Sequence, residues 1–176
     1  MIVLIGFMGA GKTTIGRGLA RRLNRPFVDS DEVIERATGL SIPDIFEGYG
    51  EEGFREIESR TIAEQLAGPP VVLALGGGAV TTPSVREDLA GHDVVLLEIA
   101  LADALGRVGG DPGRPMLHRP DLAEIFAARQ LLYREVATLR VPVAGRSIAE
   151  LVELVATGLS DPSAVPLDPE PLEEGE

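Results

Sequence analysis

The chain has 176 residues, 44% of them hydrophobic, a mean hydropathy of +0.14, no cysteine and a formal net charge of −12. That length suits one domain with a sizeable core, and the composition excludes a wholly disordered chain. The acidic balance argues against a nucleic-acid partner, and the lack of cysteine removes disulfides, thiolate zinc sites and a Cys nucleophile.

The predicted elements alternate. Ile2–Ile5 reads as a short buried strand and Thr13–Leu23 as a helix with Ile15, Leu19 and Leu23 on one face. Phe27–Val28 is a second strand ending at Asp29, and residues 31–38 a helix stopped by Gly39. Ser41 is placed to cap a helix carrying Ile42, Ile45 and Phe46, with a longer helix over 51–66. Val71–Leu75 is an apolar strand before the triplet Gly76-Gly77-Gly78. Residues 83–89 form a short helix, Val94–Leu97 a fourth strand and 101–107 a helix. Residues 109–120, rich in Gly, Pro and Arg, read as a mobile loop. A helix over 121–138, a fifth strand over 139–143 and a helix over 147–159 complete the order. The strands are continuous apolar runs, which is the pattern of a parallel sheet covered by helices on both faces. Residues 160–176 carry four prolines and six acidic groups, half of the net charge, and read as a disordered tail following a single domain over 1–159. No apolar run reaches the roughly 18–20 residues of a membrane span, and Met1–Ile5 is too short for a signal peptide. A cytoplasmic address and no membrane partner are therefore expected.

Gly6-Phe7-Met8-Gly9-Ala10-Gly11-Lys12-Thr13 matches G-x-x-x-x-G-K-T between a strand and a helix. In that context the glycines let backbone N–H groups curl around a phosphate, and the helix N-terminus adds partial positive charge. Lys12, the only lysine in the chain, can bridge terminal phosphates, and the Thr13 hydroxyl can hold Mg²⁺. Asp29-Ser30-Asp31 follows the second strand, at the carboxyl end where open parallel sheets place their ligands. Read as extended, it puts both carboxylates on one side. One could support Mg²⁺ through water and the other accept a proton from an attacking hydroxyl; as an isolated signal, a helix cap is the simpler reading. Residues 71–75 hold no acidic group, so the metal-supporting role passes to Asp29. Arg55, Arg107, Arg114, Arg129 and Arg146 are candidates for carboxylate or phosphate recognition. Among them Arg114, in the Gly/Pro loop, suits a phosphoryl-transfer lid.

Together the segments Gly6–Thr14, Asp29-Ser30-Asp31, Gly53-Phe54-Arg55-Glu56-Ile57-Glu58, Gly76-Gly77-Gly78-Ala79-Val80, Arg114-Pro115 and Arg129-Gln130-Leu131-Leu132-Tyr133 resemble the shikimate kinase family. The resemblance implies an α/β, P-loop NTPase-like, five-stranded parallel sheet of nucleoside-monophosphate-kinase-like architecture, with a lid at about 109–120. It implies transfer of the ATP γ-phosphate to the 3-hydroxyl of shikimate, with Mg²⁺ as cofactor, by a monomer. By the family pattern Gly9, Ala10, Gly11, Lys12, Thr13 and Thr14 hold ATP phosphates, and Arg107 and Arg146 flank the adenine. Asp31, Arg55, Gly76, Gly77, Gly78 and Arg129 hold shikimate, Glu58 orients Arg55, and Phe46 and Phe54 line the pocket. Thr13 and Asp29 serve Mg²⁺, while Lys12, Asp31 and Arg114 are the catalytic set. Where the family has a Pro before Leu-Tyr, this chain has Leu131. Two other readings stay open: another small P-loop kinase, such as a gluconate-type enzyme, and a nucleotide-binding regulator without catalysis.

Overall fold

The structure is a computed structural model that describes residues 1–108, 120–161, 163 and 165. Five strands, β1 (Ile2–Ile5), β2 (Phe27–Asp29), β3 (Val72–Ala74), β4 (Asp93–Glu98) and β5 (Leu139–Pro142), form one sheet in the order β2-β3-β1-β4-β5, every pair parallel. Among the described residues seven helices connect and flank them: α1 (Lys12–Arg22), α2 (Ser30–Thr38), α3 (Ile42–Leu66), α4 (Pro83–Asp88), α5 (Leu101–Val108), α6 (Leu122–Val136) and α7 (Ile148–Ser160).

The chain leaves β1 in one direction to reach β2, and later crosses back over β1 to reach β4 and β5. Right-handed crossovers running in opposite directions place their helices on opposite faces. Accordingly α1 packs with α7, whereas α3 packs with α4 and α6 packs on the 3₁₀ turn Ala79–Thr81. Both faces of the sheet are thereby covered. This is why β1, β3 and the centre of β4 are buried throughout and read as unbroken apolar runs.

A smaller cluster of Ile34, Ile45 and Phe54, with Ile42 and Ile57 against it, is separate from the main core and holds α2 to α3. Ser41 caps α3 in a reciprocal box with Asp44, as the sequence predicts. The two helices expected over 42–66 are both present within α3 and meet at Gly50, whose φ of 70° and ψ of −179° break the helical backbone there.

Two expectations change. Asp29-Ser30-Asp31 is not an extended run. Asp29 ends β2 and caps α2, its side chain accepting from the Asp31 N–H, so Asp31 lies in the first turn of a helix. The local hydrogen bond of an N-cap outweighs continuation of the strand. The expected tail from residue 160 also yields one residue to the core: Val165 is buried, with its side chain beside Gly158 on α7 and close to the Leu139 side chain. The expected lid over 109–120, with Arg114, lies outside the described residues except for Pro120. No helix among the described residues is long and apolar enough to cross a membrane.

Candidate active site

The carboxyl ends of β1, β2 and β3 open into a groove of about 1130 Å³. Its floor is the loop from β1 to α1. Gly9 and Gly11 have φ of 77° and 91°, a conformation that β-carbon-bearing residues rarely adopt, and Ala10 is buried between them. Lys12, Thr13 and Thr14 follow in the first turn of α1 and line the groove. The Lys12 ammonium donates to the Gly6 carbonyl at 2.7 Å and the Phe7 carbonyl at 3.2 Å. The Thr13 hydroxyl donates to Asp29 Oδ2 at 3.0 Å, so hydroxyl and carboxylate stand side by side next to the loop. Arg107 on α5 donates to the Gly9 carbonyl and also lines the groove.

The opposite wall comes from α2, α3 and the glycine triplet. Arg55 on α3 is not on a solvated helix face: its side chain is 17% exposed and pairs with buried Glu58 at 2.5 Å. Arg55 also lies 3.6 Å from Glu51. The Phe46 and Phe54 rings stack 4.4 Å apart beside it. The triplet is fitted to these groups. A β-carbon on Gly76 would stand 2.9 Å from both Asp31 Oδ1 and Glu58 Oε1, and one on Gly78 would stand 2.2 Å from Arg55 Nη2. Backbone approach, rather than turn flexibility, explains Gly76 and Gly78. Arg129 projects from α6, with its guanidinium 6.0 Å from the Phe7 ring centroid. The α2–α3 unit, the triplet and α6 thus bring Asp31, Arg55 and Arg129 to one groove.

Three atoms in this wall mark it as a binding surface. Among the described residues, Asp31 Oδ1, Arg55 Nε and Arg129 Nε are buried with no hydrogen-bond partner. Buried polar atoms are ordinarily satisfied, so one acceptor and two donors left over on residues that line the same groove point to a ligand carrying both kinds of group. The electrostatics agree. Burial raises the Asp31 carboxyl, and the charge on Asp29 adds to this while Lys12 opposes it. Burial pushes Glu58 up to about 7 against the opposing pull of Arg55. Burial and the nearby Arg55 lower Arg129. Strained titration in a cleft is the expected signature of a site.

Arg146 does not join this set. It donates to the Pro142 carbonyl at 2.8 Å, at the end of β5, and does not line the groove. Sequence reasoning missed two groups. Ser30, fully buried, accepts the Gly76 N–H through its hydroxyl and so ties the triplet to α2. Tyr133 donates to the Gly77 carbonyl. Ser30 was visible only as the middle of Asp29-Ser30-Asp31, and Tyr133 only as the last residue of the segment Arg129–Tyr133, with no role attached.

The sequence profile described as shikimate kinase matches residues 8–159. A shikimate kinase of Mycobacterium tuberculosis (strain ATCC 25177 / H37Ra) is 48% identical over 165 residues, covering 92% of this chain and 94% of its own. That of Thermobifida fusca (strain YX) is 47% identical over 162 residues, covering 90% of this chain and 94% of its own. The structure of the shikimate kinase from Acinetobacter baumannii in complex with shikimate superposes with a TM-score of 0.86 at 40% identity, covering 90% of this chain and 92% of that one.

Proposed function

The chain belongs to the shikimate kinase family, and on that premise we propose how its groove transfers the ATP γ-phosphate to the 3-hydroxyl of shikimate. The observation that carries the assignment of roles is the trio of unsatisfied buried atoms on Asp31, Arg55 and Arg129. Shikimate is a small ring bearing one carboxylate and three hydroxyls. Two arginine donors and one carboxylate acceptor complement it, whereas a nucleotide acceptor would call for a base-binding slot.

In this reading the loop Gly9–Thr14 holds the phosphates through backbone N–H groups, and Lys12 balances charge on the transferring group. Arg55 and Arg129 pair with the shikimate carboxylate, and Glu58 fixes Arg55. The stacked Phe46 and Phe54 rings hold the apolar edge of the ring. Asp31 accepts a hydrogen bond from the attacking hydroxyl. Its raised affinity for protons makes it a better acceptor than a solvated carboxylate. The hydroxyl oxygen forms a bond to the γ-phosphorus as the bond from phosphorus to the bridging β,γ-oxygen breaks. ADP leaves, and the hydroxyl proton passes to Asp31. Arg114, outside the described residues, takes the part of assisting Lys12 that the family pattern gives it. Of the two arginines expected at the adenine, Arg107 lines the groove and takes that part.

Mg²⁺ fits the pair Thr13 and Asp29. A hydroxyl and a carboxylate 3.0 Å apart beside the phosphate loop form a small oxygen donor set, as a strongly hydrated ion requires. When bound, it would neutralise phosphate charge. A monomeric state is part of this proposal. The need for ATP supports a cytoplasmic address.

Coupled measurement of ADP release with a panel of acceptors tests this. Turnover with shikimate far above that with gluconate is expected. Turnover with gluconate and none with shikimate would overturn the choice of acceptor, and ATP binding without any acceptor-dependent turnover would indicate a regulator.

A further inference from the structure

The chain has two tyrosines, and they differ in every respect. Tyr49 is 61% exposed on α3, whereas Tyr133 is completely buried on α6. A phenylalanine would fill the same interior volume without the cost of burying a hydroxyl. The hydroxyl has a specific partner: it donates to the carbonyl of Gly77 at 2.5 Å. Arg129, four residues earlier and therefore one turn away on the same face of α6, bears on the same oxygen. Burial keeps this phenol in its protonated, donating form, with the Arg129 charge as the chief opposing influence.

Gly77 is the central residue of the triplet. A β-carbon on it would stand 3.6 Å from the Gly6 carbonyl oxygen, 3.7 Å from the Met8 N of the phosphate loop and 3.7 Å from the Tyr133 hydroxyl oxygen, so Gly77 lies close to both the loop and Tyr133. Its neighbours bear on acceptor-holding groups, Gly76 on Asp31 and Glu58 and Gly78 on Arg55. Because the peptide unit is planar and trans, a Gly77 carbonyl held toward α6 turns the Gly78 N–H away from it. Fixing this one carbonyl therefore fixes the rotation of the peptide that leads into the Arg55 contact.

We infer that Tyr133 is a positioning residue for the hydroxy-acid acceptor: through the Gly77 carbonyl and through Arg129 it locks the glycine triplet and α6 in the relative placement that lets Arg55 and Arg129 grip one carboxylate together. The inference deepens the proposed function and rests on that reading of the groove.

The test is Tyr133→Phe, read as separate KM values for acceptor and ATP together with a melting curve. The expected result is a rise of about five- to tenfold in KM for shikimate, the worth of one buried hydrogen bond, with KM for ATP within twofold of the parent. A lower melting temperature with both KM values unchanged would show a merely structural hydroxyl and overturn the inference. Equal increases in both KM values would overturn it too. If Tyr133→Phe does not fold, Tyr49→Phe leaves Tyr133 as the sole tyrosine, and incorporation of 3-fluorotyrosine then changes chiefly the acidity of its hydroxyl, at the cost of one small ring substituent. A change of at least twofold in acceptor KM, with KM for ATP constant, supports the inference, and no change refutes it. Should the parent enzyme phosphorylate a different hydroxy acid, the proposed acceptor fails on the parent alone, and the same KM comparison made with that acid still tests Tyr133.

Discussion

Replacing Gly78 by alanine tests how the triplet serves the arginine. Gly78 has φ of −98° and ψ of −10°, a backbone that alanine adopts without strain. The added methyl, however, would stand 2.2 Å from Arg55 Nη2 and 2.7 Å from Cζ and Nη1. Ordinary van der Waals separation requires the guanidinium to retreat by about 1 Å. It is tethered to buried Glu58, so it moves by giving up the position from which it meets the substrate. A charge-assisted hydrogen bond is worth about 1.5–3 kcal/mol, which corresponds to roughly a 10- to 100-fold loss. The expected outcome for Gly78→Ala is a 10- to 100-fold rise in KM for shikimate, with KM for ATP and melting temperature close to the parent. Titration of shikimate in a coupled ADP-release assay reads this directly. An unchanged KM would mean that Arg55 does not hold the acceptor from this position, and would refute the fitted-glycine argument.

Three further outcomes are expected. Lys12→Ala should lower kcat by about 10²–10³-fold or more while leaving the circular dichroism spectrum intact, because it removes charge from the transferring phosphate; substantial remaining turnover would sink its assignment. Glu58 is expected to make stability pH-dependent. Its carboxyl is raised from 4.5 to about 7, so the folded state keeps a proton that the unfolded chain releases; its contribution is fullest below about 4.5 and is lost as pH rises through about 7. The parent should therefore lose melting temperature across that window more steeply than Glu58→Gln, and parallel profiles would contradict the shift. Removing residues 161–176 takes away buried Val165 and should cost about 1.5 kcal/mol, or some 3–6 °C, whereas removing only 166–176 should leave the melting temperature unchanged. Equal melting curves for the two truncations would show that Val165 adds nothing.

Much of the fold was legible because its signals are local. The apolar runs of β1 and β3, the G-x-x-x-x-G-K-T string and the Ser41 cap each lie within a few neighbouring residues. The elements of the site were legible too, but their meeting was not. Arg55 stands among Glu51, Glu52, Glu56 and Glu58 in the sequence, a pattern that reads equally as a solvated helix face, and only the fold buries it against Glu58. Asp31 was read in an extended run because β2 precedes it, yet the cap at Asp29 starts the helix one residue earlier. Arg146 is expected at the adenine from the family pattern alone, and its guanidinium donates to the Pro142 carbonyl at the end of β5, a contact that the sequence does not announce. Tyr133 reaches Gly77 across 56 residues of sequence, a contact that no periodicity on α6 announces. Val165 sits among prolines and acids whose composition reads as tail, and a single apolar residue docking on Gly158 leaves no sequence pattern.

The central claim is a transfer between two particular atoms, so the product tests it most directly. After incubation with ATP and shikimate, phosphorus–proton correlation NMR should show one organic phosphate coupled to the ring proton at carbon 3, with an equivalent amount of ADP. Phosphate on a different hydroxyl, or ADP formed with inorganic phosphate alone, would contradict the account.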